Sequence, residues 1–493
     1  MTGPISPREV ERFRAAILRH TGLHFDDARM GFLSEVLQRR LAGTGPAYLD
    51  VLDQAPPPDE ISALAREITV TETYFFRNGD QFRALAERVL PERMQDDRPG
   101  RTLSLLSAGC ASGEEAYTMA IVARETVQEL GWEFRIRAVD LNPAGLEKAA
   151  RGRYSRWALR ETLPEAQRKW FKPDGADMIL DETVRRAVQF EPRNLAVDDP
   201  ELWTPGVYDV VFCRNVLMYF TPERMRAAIG RIAQALAPGG FLFLGHAETL
   251  RGISDDFHLC HTNDAFYYQR KDCLQPASRR PLPVSVRSEQ AVAVAFDTGW
   301  IEAIRTATER VAALVPGGEI ESVPVPAWDP APAFDLLRRE RFAEALSHVQ
   351  ARPKESRGDP DVLLLEATLL THGGQLDAAE TVCRALLAID ELNAGAHYVL
   401  ALCREHAGDS LAAAEHDRVA AYLDPGFAMP RLHLGLLARR SGDREAARRE
   451  LAVALFLFER EDAARLLLFG GGFNRETLMA LCDPALSESG GRR

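Results

Sequence analysis

The stretch Thr102–Ile121, TLSLLSAGCASGEEAYTMAI, decides how the rest of the chain is read. Leu103, Leu105 and Leu106 read as a buried strand. The small residues from Ser107 to Gly113 break it, and Ala116, Met119 and Ala120 then recur on one helix face. Apolar strand, small-residue turn and helix, in that order, open a nucleotide-binding α/β sheet. In such a sheet a ligand lies against bare backbone and faces the free N–H groups of the helix start. Glu114 and Glu115 stand where that helix begins. They would repel a phosphate and attract a cation, so the turn suits a positively charged nucleoside such as S-adenosylmethionine better than a dinucleotide. The competing reading is an ordinary strand–helix turn whose acidic residues are favoured by the helix dipole.

Downstream, Phe134–Asn142 (FRIRAVDLN) reads as the second strand, ending in Asp140, where a carboxylate accepts ribose hydroxyls. Met178–Leu180 and Val184–Phe190 read as two short strands turning at Asp181-Glu182, a small antiparallel excursion. Val207–Cys213 (VYDVVFC) is a buried strand by composition. Asn215 and Tyr219 follow its carboxyl end, where the ligand crevice of such sheets lies. A helix at 222–236, a turn Ala237-Pro238-Gly239-Gly240, the strand FLFLGHAET and Ala265–Gln269 complete a doubly wound sheet.

Upstream, Ile68–Arg77 (ITVTETYFFR) has strand-forming residues but is short and precedes a helix at Gly79–Met94. It reads as a connecting segment folded over the pocket. Arg77, beside Phe75 and Phe76, is either placed to hold a carboxylate with its guanidinium fork or a surface arginine next to core aromatics. Before it, Val10, Phe13 and Ile17, and Leu33, Val36, Leu37 and Leu41, mark the faces of a small helical domain. Arg39 and Arg40 end its second helix, as favourable charge there or as a contact for an acidic partner.

Beyond residue 271 the chain is Pro-rich to about 333, a linker in which Trp300–Val315 could form one amphipathic helix. A repeat follows. Gly374, Gly408 and Gly442, Ala378, Ala412 and Ala446, and Ala379, Ala413 and Ala447 each recur at a period of 34 residues, the tetratricopeptide pattern of paired helices. Asp390 and Asp424 echo it, and RFAEAL at 341–346 is an earlier partial copy. Such stacks bind peptides or proteins.

At 493 residues, about three domains are expected. No run is apolar enough for a membrane span, and the first residues lack a signal-peptide pattern, so a cytoplasmic protein is expected. The seven scattered cysteines suit reduced core thiols, not a disulfide or zinc framework. A net charge of −12 argues against a large nucleic-acid surface. No Asn-Pro-Pro-Tyr or Asp-Pro-Pro-Tyr run of a base methylase occurs.

Over residues 8–270 the sequence resembles the CheR-type chemotaxis-receptor methyltransferases, followed by a tetratricopeptide domain. The resemblance rests on TETYFFR at 71–77, SAGCASGEEAY at 107–117, AVDLN at 138–142, Asn194-Leu195, CRNVLMYF at 213–220 and GHAE at 245–248. It implies methyl transfer from S-adenosylmethionine to receptor glutamates, giving γ-methyl esters and S-adenosylhomocysteine. The implied cofactor residues are Thr71 (where the family usually has Asn), Thr73, Arg77, Glu115, Asp140, Asn194, Leu195, Asn215 and Val216. Arg39 and Arg40 are the implied contacts to the substrate helix; for catalysis, Arg77 is expected to orient the incoming carboxylate and Tyr219 to line its path. No metal is implied. The short turn KPDGAD at 172–177 lacks the longer Gly-rich loop of members that dock a receptor-tail pentapeptide, so no pentapeptide dependence is expected.

The expected architecture is therefore α/β plus all-α. It comprises an N-terminal helical domain at 1–78, a Rossmann-like methyltransferase sheet with a small antiparallel β-subdomain at 79–270, the linker at 271–333, tetratricopeptide repeats at 334–470 and a tail at 471–493. The expected partners are cytoplasmic chemoreceptor helices and a further protein bound by the repeats, without nucleic acid or membrane insertion. A non-catalytic S-adenosylmethionine-binding adaptor is the alternative.

Overall fold

The computed structural model describes residues 5–272 and 328–482, apart from 46, 55, 96–101, 128–130, 247, 263–264, 340, 354–355, 357 and 472. Most of the expected linker, its helix at 300–315, and the tail from 483 lie outside the described residues. The chain divides into two compact units, residues 1–278 and 279–493.

The first unit opens with a helical bundle. Helix α1 (Pro7–Thr21) starts at a capping box, in which Ser6 and Glu9 satisfy each other's backbone N–H groups, and ends at Gly22 with φ 85°. Its buried face, Val10, Phe13 and Ile17, packs with Leu33, Val36 and Leu37 of α2 (Met30–Thr44), and α3 (Tyr48–Asp53) and α4 (Pro58–Ile68) close the core. The bundle is fastened to the sheet: a Cβ on Gly22 would lie 2.1 Å from that of Ala196, and His24 N–H donates to the Tyr219 carbonyl at 2.7 Å.

Residues 69–78 are neither helix nor strand. Asn142 Nδ2 donates to Thr69 Oγ1 (2.8 Å), Phe75 N–H to the Ala158 carbonyl (2.9 Å) and Phe76 N–H to Thr118 Oγ1 (3.2 Å). Phe75, fully buried, meets Tyr154 and Phe171 edge-on, each at 4.9 Å. The helix expected at 79–94 forms as α5 (Gly79–Ala84), a π turn (Leu85–Val89) and α6 (Leu90–Met94). Pro91 has no N–H to give, and the wider turn just before it relieves the crowding of its ring.

The sheet segment runs β1 (Thr102–Ala108), α7 (Glu114–Val127), β2 (Glu133–Asp140), α8 (Pro143–Arg151), β3 (Arg153–Ser155), α9 (Pro164–Trp170), β4 (Phe171–Asp174), β5 (Asp177–Leu180), α10 (Glu182–Arg185), β6 (Val188–Pro192), β7 (Tyr208–Cys213), α11 (Pro222–Ala235), β8 (Leu236–Leu244), β9 (Phe257–Thr262) and β10 (Ala265–Arg270). Strands are ordered β6-β2-β1-β7-β8-β10-β9. The first five are parallel, and β10 runs antiparallel to both β8 and β9.

Three expectations are corrected here. The antiparallel excursion is β3-β5-β4, whereas Val188–Pro192 joins the main sheet beside β2. Asp181 caps the helical turn α10 by accepting the Thr183 N–H, which carries the chain back to that edge. The Ala237–Gly240 turn falls inside β8, where the register against β7 shifts. Strand β9 was not expected at all.

In the second unit, helix pairs 360–372/376–389, 394–406/410–423 and 428–441/444–458 follow a shorter pair, 331–338/342–350. Gly374, Gly408 and Gly442 have φ of 70°, 83° and 85° and turn the chain out of each first helix. Ala345, Ala379, Ala413 and Ala447, spaced by 34, are buried where the next helix crosses. Ala331–Ala333, assigned to the linker from sequence, already open the first helix. Among the described residues no helix is long and apolar enough to cross a membrane.

Candidate active site

From β1 the chain crosses to β2 on one side, and from β7 to β8 on the other. The β1/β7 seam is therefore the topological switch point, where α/β sheets bind ligands at their carboxyl ends. A cleft of ≈ 480 Å³, measured out to its open mouth, lies there. Its lining includes Thr73, Tyr74, Arg77, Gly109, Ala111, Glu115, Arg214 and Asn215.

Among the described residues four non-glycine residues have left-handed backbone, Phe76 (φ 58°), Asn78 (62°), Ala111 (48°) and Asn215 (59°). All four lie in the loops around this cleft, where stored strain commonly marks a binding site. Gly109 has φ 86°, and a Cβ there would stand 2.3 Å from Val216 Cγ2, so only glycine lets the two loops meet.

Asp140, at the end of β2, accepts the Ala111 N–H (2.8 Å) and the Asn142 N–H (2.7 Å), and so shapes the turn after β1. Burial raises its pKa, and the backbone donors oppose this. Glu115 accepts from Ser107 Oγ (2.7 Å) and lies 3.6 Å from the Arg214 Nε. Burial raises its pKa as well, with Arg214, Ser107 and Arg77 pulling the other way. A cationic ligand would relieve both carboxylates. Glu114, by contrast, is turned to Ser112 and Lys148 and does not line the cleft.

Arg214 is 6% exposed and donates to the Arg77 carbonyl (2.6 Å) and Asn78 Oδ1 (2.5 Å). Among the described residues its Nε and Nη1 make no hydrogen bond, and Nε has only the longer ion pair with Glu115 at 3.6 Å. A buried guanidinium with Nη1 uncommitted beside a cleft suits an anionic ligand group. The buried Glu248 carboxylate accepts N–H groups from Asn215 (2.7 Å), Gly245 (2.8 Å) and Met218 (3.3 Å), which fixes the loop after β7. Sequence reasoning assigned no role to Arg214 or Glu248. The available signals were a charge directly after the all-apolar strand β7 and the lone carboxylate of GHAE.

Of the residues expected at the site, Thr73, Arg77, Glu115 and Asn215 line the cleft, with Val216 packed on Gly109, whereas Asp140, Asn194 and Leu195 stand outside the lining. Asn194 and Leu195 follow β6, which pairs with the end of β2, and Arg193 N–H donates to the Asp140 carbonyl at 3.1 Å. Three further placements differ from expectation. Thr71 is exposed and outside the lining, although Val70 and Glu72 on either side of it belong to the lining. Tyr219 is half-buried against the bundle, with Arg29 over its ring at 5.6 Å, and does not line the cleft. Arg40 is bound within the bundle by Glu60 and Glu67 (3.3 Å), and the more exposed Arg39 also pairs with Glu67 (3.1 Å).

The side chains fit a ligand with a cationic amine, a carboxylate and sugar hydroxyls: Glu115 for the first, Arg214 Nη1 for the second and Asp140, at the end of β2 and outside the cleft lining, for the third. Residues 71–266 match the family described as CheR methyltransferase, SAM binding domain. A chemotaxis protein methyltransferase of Vibrio parahaemolyticus is 36% identical over 277 residues, covering 54% of this chain and 98% of the relative. The chain belongs to the CheR methyltransferase family.

Its cofactor is S-adenosylmethionine. Chemotaxis protein methyltransferase 2 of Vibrio cholerae is 33% identical over 255 residues, 50% of this chain and 88% of that one. The likeness extends through the repeats in the probable biofilm formation methyltransferase WspC of Pseudomonas putida, 27% identical over 442 residues, 89% of this chain and 96% of that one. The CheR match spans the switch-point cleft and the small β3-β5-β4 sheet.

Proposed function

We propose that this CheR-family chain methylates glutamate side chains on the cytoplasmic helices of a chemoreceptor, forming γ-methyl esters. The cofactor, when bound, supplies an electrophilic methyl on a sulfonium. The acceptor carboxylate is already ionised near neutral pH, so no strong general base is required. What the protein contributes is alignment and exclusion of water. In this reading Glu115, Asp140, Arg214 and Asn215 hold the cofactor. Arg77 orients the incoming carboxylate, and Tyr219 lines its approach from the bundle side. Burial, with Arg214 and Arg77, lowers the pKa of His246 and makes it a weaker base, and the reaction needs none.

The observation that carries the proposal is the sharing of one cleft by a buried carboxylate, Glu115, and a guanidinium, Arg77, that lies within ion-pair distance of no carboxylate among the described residues. These two charges suit a cationic donor and an anionic acceptor. The likeness to a probable biofilm formation methyltransferase over 89% of this chain supports a receptor acting in biofilm formation, with the repeats binding a second protein.

Incubation with tritium-methyl S-adenosylmethionine and soluble cytoplasmic fragments of candidate receptors tests this. Label released as methanol by mild alkali is expected. Alkali-stable label would refute the ester. Cofactor binding without label on any receptor would favour the adaptor.

A further inference from the structure

Tyr74 carries a guanidinium near its ring from each of two neighbours. Arg77 Cζ lies 5.8 Å from the ring centroid and Arg160 Cζ 3.6 Å. Arg160 in turn stacks on Trp157, 4.5 Å from that ring, and donates from Nη1 to the Trp157 carbonyl at 3.0 Å. The four side chains form a row, Arg77–Tyr74–Arg160–Trp157, from the cleft lining to the surface. The row is rigidly joined to the cleft, because the Phe75 N–H donates to the Ala158 carbonyl at 2.9 Å.

Two properties of the row are unexplained by cofactor binding. Trp157 is 71% exposed, and Leu163 a few residues on is 69% exposed. Arg160 covers part of the indole, and the large area of Trp157 still left in water suits a contact surface. The second property is charge. Neither Arg77 nor Arg160 lies within ion-pair distance of a carboxylate among the described residues, although Glu115 acts on Arg77 at longer range and Glu161 meets the Tyr74 hydroxyl; Arg153, Arg186 and Arg193 each have a direct carboxylate partner.

We propose that the Tyr74–Arg160–Trp157 row docks an acidic helical segment of the methyl-accepting protein. Arg160 takes a second carboxylate of that segment while Arg77 takes the one to be methylated, and Trp157 covers an apolar residue beside them. The inference rests on the glutamate-methylating reading above. Both guanidinium carbons flank one ring and lie within about 10 Å of each other. At 1.5 Å rise per residue, that span places the second carboxylate about one to two helical turns from the target. Glutamates without such a neighbour would be poor substrates even when exposed.

The test uses the full chain and a receptor fragment already shown to be methylated by it, so failure of the parent reading is seen first and separately. Trp157→Ala and Arg160→Ala remove exposed or half-exposed side chains, and S-adenosylhomocysteine affinity with thermal unfolding reports whether the cleft survives. The expected result is KM for the fragment raised about tenfold by either change, the equivalent of about 1.4 kcal/mol, with kcat and cofactor affinity within about twofold. Arg160→Lys should recover part of the loss. Changing the fragment's neighbouring glutamate to glutamine should raise KM for the wild-type chain and add nothing to Arg160→Ala, as a double-mutant cycle requires. Unchanged KM in both variants overturns the proposal. So does loss of cofactor affinity alongside KM, which would make the row mere scaffolding for the cleft.

Discussion

Replacing Gly109 by alanine tests how the cleft is built. At φ 86° a non-glycine residue costs about 1–2 kcal/mol in backbone strain. The new Cβ would stand 2.3 Å from Val216 Cγ2, against a comfortable carbon–carbon separation of roughly 3.5–4.0 Å. Val216 must therefore retreat by more than about 1 Å, an overpacking of about 1–3 kcal/mol. It cannot do so alone, because Asn215 beside it is left-handed and has its N–H fixed by Glu248. A total near 3 kcal/mol should lower the melting temperature of the first unit by about 6–12 °C. S-adenosylhomocysteine affinity should fall at least about tenfold, as calorimetry would read it. In a Val216→Ala background the atom that collides is gone, so the same Gly109 change should cost only the backbone share. If Gly109→Ala binds and melts as the parent does, the cleft does not depend on this approach. If its penalty is the same in both backgrounds, the overlap argument is wrong.

Arg77→Ala should lower methyl transfer by orders of magnitude in a tritium assay, and near-normal turnover would remove Arg77 from its proposed role. Glu248→Gln turns an amide N–H₂ toward backbone donors. It should weaken cofactor binding about tenfold and cost about 1–3 kcal/mol, with Glu248→Asp intermediate, by calorimetry and thermal melts. In the repeats, His433 lies between Asp417 (2.6 Å) and Glu405 (2.7 Å). Burial alone would lower its pKa, but these carboxylates hold it above 6.5, while burial raises Asp417 from 3.8 to about 7. Both groups bind protons more tightly folded than unfolded, so their contribution is full at low pH and fades as pH rises through about 7. Glu405, shifted down, loses its share only well below pH 6. The full chain's repeat transition should therefore move down between pH 6 and pH 8, and a pH-independent transition, or one unaffected by His433→Gln, would contradict this.

Features carried by local chemistry were legible in the sequence. The strand, turn and helix of 102–121 need apolar, small and amphipathic residues in fixed order, and a 34-residue period needs only glycine at each left-handed exit and alanine at each crossing. What escaped depends on distant partners. Val188–Pro192 could pair with either sheet, and only α10 decides which. The Ala237–Gly240 run looks like a turn because proline and glycine also serve a bulge. Arg40 reads as a free surface cation until Glu60 and Glu67, on another helix, are brought beside it. Arg214 and Glu248 are single charges whose meaning comes from the loops they bridge, and Thr71 was carried by resemblance, while the backbone turns its neighbours Val70 and Glu72 to the cleft instead.

The fastening of the bundle at Gly22 and His24 bears on how relatives diverge. Because His24 grips the backbone of Tyr219 and Gly22 rests on Ala196, the front helices and the crevice loops must change in concert. A chimera that grafts another member's opening helices onto this sheet can keep the backbone bond with any residue but proline at 24, so its seating turns on the small pair Gly22 and Ala196.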